Sequence, residues 1–218
     1  MRLRTLFATI VLVAIPLAAH ADGPPNANIA AVVPQSEAND PAVARLLEAK
    51  STIKWNYTGK EGRYGHAETL VEAPIEKVAS TVVEFGKYRE LHRKFSTARV
   101  IAKEGANTDV YMRYPVQIGP MKIEFYEVMR FQPLRVEGGG VRVLEAHGIK
   151  GDMSKGHTLI RIKPVGPKHS LLTVDILLVP KIPAPQSMID EELRDGAHDF
   201  VDGLRHRAQG WSGHIQSL

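Results

Sequence analysis

Glu127 is the acidic side chain whose neighbours most invite chemistry. In the run from Met121 to Phe131 it shares its parity with Ile123, Phe125, Met129 and Phe131, whereas Lys122, Glu124, Tyr126 and Arg130 have the other parity. Alternate residues of a strand share a face, so Glu127 is expected on the apolar side. A carboxylate there is costly to ionise, and its pKa should rise. It could bond a ligand hydroxyl or act as a general acid or base. A bulge turning it outward, or pairing with Arg113 or another base, would remove that role.

A second constellation is His198, Asp202 and His206, spaced i, i+4 and i+8. On a helix these stay within about 80° of one another and could offer ligands to zinc. The same arithmetic sets them opposite the apolar stripe, so they read as a charged outer face, and no metal is called for. The nine histidines contain no HExxH motif, and the chain has no GxSxG elbow, phosphate-binding glycine loop or dinucleotide fingerprint. Gly138-Gly139-Gly140 reads as a loop between strands. With no cysteine there is no disulfide, thiolate metal site or thiol nucleophile. Hydrolase, kinase and dehydrogenase chemistry therefore have little support, and no cofactor is implied.

The elements that would position Glu127 follow from periodicity. Asp40-Pro41 starts a short helix carrying Val43, Leu46 and Leu47 and running to about Lys50. Ile53, Trp55 and Tyr57 alternate as a short strand, and Tyr64 to Glu72 alternates as a second. Ile75, Val78, Ala79, Val82 and Phe85 recur at helical spacing until Gly86, and Lys87 to Lys94 reads as another short helix. Six strands follow, 97–103, 109–116, 121–132, 141–147, 157–163 and 169–179, separated by Gly, Pro or Asn turns. One of those turns is Gly119-Pro120, and another is the segment from Gly151 to Gly156. Last comes a long amphipathic helix from about Ser187 to Gly210, with Ile189, Leu193, Ala197, Phe200, Leu204, Ala208 and Trp211 on one stripe.

The N-terminus reads as an address. Arg2 and Arg4 precede an uncharged apolar run ending at Pro16, and Ala19-His20-Ala21 offers small residues for cleavage before Asp22. Residues 1–21 are thus expected to be a secretory signal, and the Pro-rich residues 22–39 a flexible linker. Without Arg2 and Arg4 there are 26 basic against 24 acidic residues, so the charge falls from +4 to +2. That excess is too small and too scattered to argue for nucleic acid by itself. A length of 218 residues with 44% hydrophobic composition suits one domain with its own core.

A large antiparallel sheet curls, and the terminal helix carries the one long apolar stripe able to cover its concave face. Two curved surfaces that diverge leave an elongated apolar pocket. The element order, the junction Val71-Glu72-Ala73-Pro74-Ile75-Glu76-Lys77-Val78 and the following Tyr88-Arg89-Glu90-Leu91 resemble the START-like helix-grip superfamily. That group contains the birch-pollen allergen, polyketide cyclases and coenzyme-Q-binding proteins. The resemblance covers about Tyr64 to Gly210. It implies an α+β helix-grip fold, with residues 64–218 as the domain and 40–63 as an N-terminal helix and extension. It also implies that a lipid, sterol, polyketide or other apolar ligand is bound.

The expected inward set is Val110, Met112 and Tyr114, then Phe125, Glu127, Met129 and Phe131. Val141 and Val143, Ile160 and Ile162, and Leu172, Val174 and Ile176 follow, with Leu193, Ala197, Phe200 and Leu204 from the helix. Of these, Met112, Tyr114, Phe125, Glu127, Met129, Phe131, Ile160, Leu193, Phe200 and Leu204 are the candidate ligand contacts. The expected partner is a hydrophobic small molecule or lipid, with transient membrane contact compatible and no nucleic acid. Three functions fit. The first is an exported, periplasmic or secreted carrier or sequestering protein. The second is a cyclase or dehydratase using Glu127 with Tyr114 or Arg113. The third is a ligand-free envelope interaction domain with a filled core.

Overall fold

The computed structural model describes residues 40–49, 51–92, 94–118 and 121–210. The expected signal, linker, Gly119-Pro120 turn, Lys50 and Trp211 lie outside them. Nine antiparallel strands form one sheet. They are β1 (Ile53–Thr58), β2 (Arg63–Val71), β3 (Thr97–Glu104), β4 (Asn107–Ile118), β5 (Met121–Phe131), β6 (Arg135–Val136), β7 (Arg142–Gly151), β8 (Met153–Pro164) and β9 (Ser170–Pro180). Their order is β1-β2-β9-β8-β7-β5-β4-β3, with the short β6 paired to β7. Among the described residues there are also four α-helices: α1 (Pro41–Ala49), α2 (Ile75–Val82), α3 (Tyr88–Leu91) and α4 (Gln186–Ala208). This is the expected α+β helix-grip architecture.

Local chemistry explains most boundaries. The Asp40 carboxylate accepts the Ala42 and Val43 amides at 2.9 and 3.5 Å and caps α1. α2 stops at Val82, earlier than Phe85. The chain then makes a 3-10 turn over Phe85–Lys87 before α3. The Tyr88 hydroxyl donates to the Val82 carbonyl at 2.6 Å and satisfies that helix end. The segment from Gly151 to Gly156 is not a loop. β7 and β8 run through it and turn at Asp152 alone. Its glycines looked like turn residues but are sites of close approach within strands.

The core lies between the concave face and the helices. Ala67, Val110, Met129, Leu144, Ile160, Leu172 and Val174 from the strands meet Val78, Val82, Tyr88, Leu91, Phe200, Val201 and Leu204. On β7 the inward residues are Leu144 and Ala146, not Val141 and Val143. The β7–β8 register pairs Leu144 with Ile160 and Ala146 with Thr158, which fixes that parity. Both parities of β7 are apolar around Val143-Leu144, so alternation alone could not choose. A smaller cluster on the outer face joins Val43 and Leu46 of α1 to Leu70, Val165 and Leu171.

Two glycines set how closely α4 lies. A Cβ on Gly65 of β2 would fall 2.2 Å from the Leu193 carbonyl carbon and oxygen, and one on Gly203 of α4 would fall 2.0 Å from the Leu91 oxygen. The helix backbone therefore rests directly on β2 at one point and against α3 at another. Gly65→Ala is expected to destabilise the fold by about 2–3 kcal/mol, because backbone rather than a flexible side chain must move. Urea unfolding measures this, and an unchanged midpoint would contradict the close contact.

Candidate functional site

α4 packs against β1, β2 and β9. The strands β8, β7, β5 and β4 curve on beyond it. Under the C-terminal half of α4 that space is filled by α2 and α3, through Leu91, Val201 and Leu204. Under the N-terminal half it stays open as a cavity of about 140 Å³. Its wall is largely aromatic. Tyr88 meets Phe131 and Phe200 edge to face, with centroids 5.7 and 5.1 Å away, and Phe95 lies 6.3 Å from Tyr114. Such pairings keep the wall rigid. Met188, Ile189, Ala184 and Pro180 line it where α4 begins. There Lys94 donates to Glu192 at 2.7 Å, with both side chains about one-third exposed.

Eight of the ten expected contacts line this cavity: Met112, Tyr114, Phe125, Glu127, Met129, Phe131, Leu193 and Phe200. Ile160 and Leu204 do not. Both are fully buried in the packed core, where α2 and α3 fill the space. Met153, Leu178, Met188 and Gly196 also line it and were not anticipated. Continuing the β9 parity from Leu172 through Ile176 would have reached Leu178. Met153 was hidden by the misread loop.

Glu127 points into the cavity and is 2% exposed. It makes no hydrogen bond or ion pair with any described residue. The space for its carboxyl comes from glycines. A Cβ on Gly148 of β7 or Gly156 of β8 would lie 2.3 or 1.9 Å from its Oε1. Gly151 has φ +143°, and a Cβ there would lie 2.4 Å from the Tyr126 oxygen, so only glycine lets β7 approach β5 so closely. A bulge does occur here, but the extra residue is Ile149 on β7, and Glu127 stays inward. Arg113 does not join it. That residue faces the other side of β4 and pairs with Glu124 at 2.7 Å.

Burial pushes the Glu127 carboxyl up from 4.5 to about 8. At neutral pH it is therefore mainly a neutral acid able to donate a hydrogen bond. On the neighbouring strand Tyr114 pairs with Phe125, one step along the same face. Its hydroxyl is buried with no partner among the described residues. Burial, then the negative charge of Glu127, raise its pKa well above the ordinary tyrosine value. The cavity thus presents the Glu127 carboxyl and the Tyr114 hydroxyl in a mainly apolar surface, with His92, Thr158, Lys94 and Glu192 as its other polar lining residues, which suits a ligand with a hydroxyl or carbonyl on a hydrophobic body.

The trio on α4 forms no such site. Asp202 accepts from Thr52 at 2.5 Å and lies 3.3 Å from Arg205, and its other oxygen is 3.6 Å from His198. It ties α4 to the start of β1 and is half-buried rather than on a fully solvated face.

No protein-family model matches this chain, and no curated protein matches it. Solved structures do resemble it. A STAR-related lipid transfer protein fragment from Xanthomonas axonopodis superposes with a TM-score of 0.59 at 12% identity, covering 72% of this chain and 92% of that one. Human StAR-related lipid transfer protein 5 gives 0.58 at 12% identity, covering 73% and 82%. The Zhui aromatase/cyclase from Streptomyces sp. R1128 gives 0.53 at 10% identity, covering 67% and 93%. The class of protein is therefore defined by architecture: this chain has the START-like helix-grip fold.

The raised carboxyl pKa has a signed consequence. The native protein keeps a proton that the unfolded chain releases. The contribution of Glu127 to stability is therefore full below pH 4.5 and declines as pH rises to about 8. The total decline is up to about 5 kcal/mol. Glu127→Gln should lack this decline and be more stable than the parent at pH 8. Urea midpoints between pH 5 and 9 check it, and parallel curves for the two proteins would refute it.

Proposed function

We propose that this protein holds a hydrophobic small molecule or lipid in the α4 cavity, as an exported carrier or sequestering protein. The observation that carries the reading is the apolar cavity holding the buried, unpartnered Tyr114 hydroxyl beside a carboxyl that burial keeps protonated. An unsatisfied buried polar group costs about 1–3 kcal/mol, and a bound ligand would recover that cost. The open interior speaks against an interaction domain with a filled core. Export is supported by the sequence alone: the basic start, apolar run and small-residue site at residues 1–21. Among the described residues no helix is long and apolar enough to cross a membrane.

A cavity near 140 Å³ accepts an apolar group about the size of benzene. The rest of a longer ligand would extend past Met188 and Ile189. Burying about 250 Å² of apolar surface yields about 6 kcal/mol before association costs. Micromolar binding is the expected range. The likeness to lipid transfer proteins agrees with this ligand class.

Purified protein, extracted with organic solvent and analysed by mass spectrometry, should release an apolar compound bearing a hydroxyl or carbonyl. Delipidated protein should bind a fluorescent fatty alcohol or sterol analogue. Met112→Trp, which fills the cavity, should weaken that binding about ten-fold or more with little change in thermal stability. Binding unaffected by Met112→Trp, or no binding by the delipidated protein, would sink the proposal. Tyr114→Phe should leave the empty protein as stable or slightly more stable, and weaken a hydroxyl-bearing probe by about 1 kcal/mol.

A second reading rests on the Glu127 carboxyl alone. An acid titrating near 8 is poised for proton transfer at neutral pH, as a cyclase or dehydratase acting on an apolar substrate would require. Under that reading Glu127→Gln abolishes turnover and leaves binding intact. Equal turnover in the variant rejects it.

A further inference from the structure

The outer face of the sheet, opposite the cavity, carries a separate cluster. Glu145 and His147 of β7 and His157 of β8 project there, because Leu144, Ala146 and Ile160 alternate with them into the core. One donor atom from each lies within 4.8 Å of the others. Glu145 Oε1 is 3.0 Å from His157 Nε2 and 3.5 Å from His147 Nε2. Two ligands held about 2.1 Å from a tetrahedral zinc ion are about 3.4 Å apart, so these spacings already match two edges of such a site. The geometry points to a zinc-binding site formed by Glu145, His147 and His157.

Surrounding groups orient each donor. The Tyr64 hydroxyl lies 2.7 Å from His157 Nδ1. Glu145 Oε1 accepts from His157 Nε2–H at 3.0 Å, so Nδ1 accepts from the Tyr64 hydroxyl. Zinc would take the place of the Nε2 proton, and Nδ1–H would then donate to the Tyr64 oxygen, the tautomer that a metal requires. Arg135 donates to Glu145 Oε2 at 3.0 Å, which leaves Oε1 turned towards both imidazoles. The rings of His147 and His157 stack with centroids 4.7 Å apart and planes 11° from parallel, so the outer, more exposed His147 ring must tilt out of the stack for both imidazoles to face one ion. His157 is 7% exposed, whereas the His147 side chain is 42% exposed. The fourth position therefore faces solvent and would hold water. Two imidazoles and a carboxylate select a late first-row divalent ion, and zinc suits this donor set. Arg135 adds a positive charge beside the ion, so micromolar rather than very tight affinity is expected.

The test is zinc titration of the full chain, purified without a polyhistidine tag, read by competition with a chromophoric chelator and by thermal unfolding. One equivalent should bind. Zinc at a hundred-fold excess over Kd should raise the melting temperature by about 5–10 °C. His147→Ala and Glu145→Gln should weaken binding about 10- to 100-fold, and Tyr64→Phe, which removes only an orienting group, about ten-fold. If His157→Ala fails to fold, His147→Ala at its half-exposed position still decides the matter. Absence of zinc binding, or binding equally strong in His147→Ala and Glu145→Gln, overturns the site and leaves the cluster a hydrogen-bonded network. Neither result bears on the cavity, which lies on the other face.

Discussion

The direct contact of the α4 backbone with the sheet at Gly65, and with α3 at Gly203, governs the rest of this structure. A helix of 23 residues pinned at those two places has a fixed line. The sheet twists away from that line, as every sheet of this size must. The wedge between them is filled at one end, where α2 and α3 pack on α4, and is open at the other. Had either glycine carried a side chain, the helix would stand further off and the wedge would have a different width.

Inside that wedge the polar groups are few, and each has a distinct origin. Tyr88 is satisfied by the Val82 carbonyl, so it belongs to the scaffold. Among the described residues the Tyr114 hydroxyl has no hydrogen-bond partner, and burial is what raises the Glu127 carboxyl. Gly148 and Gly156 leave Glu127 room on the sheet floor. An apolar side chain of similar length would fit the same space without the desolvation cost. The carboxyl is thus a departure from what packing alone would choose, and such departures concentrate where a protein meets its ligand.

The two faces of one strand pair carry different chemistry. On the concave side β7 and β8 contribute the glycine floor beneath Glu127. On the convex side the same strands present Glu145, His147 and His157. Strand alternation makes this separation automatic. The Ile149 bulge on β7 sits between the two regions and lets Gly151 meet Glu127 in register.

The sequence by itself determined most of the element types, the inward parity of β4, β5 and β9, and the amphipathic stripe of α4, because side-chain period is a local property that burial of one face enforces. It also determined that Glu127 shares a face with Phe125 and Met129. Only the tertiary structure decided which of those inward residues surround a cavity. Ile160 and Leu204 have the same local pattern as Phe125 and Leu193, yet α2 and α3 pack them shut. Tertiary pairing likewise chose the parity of β7, where both faces are apolar, and turned Gly151 and Gly156 from apparent turn residues into points of close approach. The outer Glu-His-His cluster was invisible for the same reason: His157 stands ten residues from His147 in the chain, and only the β7–β8 register sets them side by side.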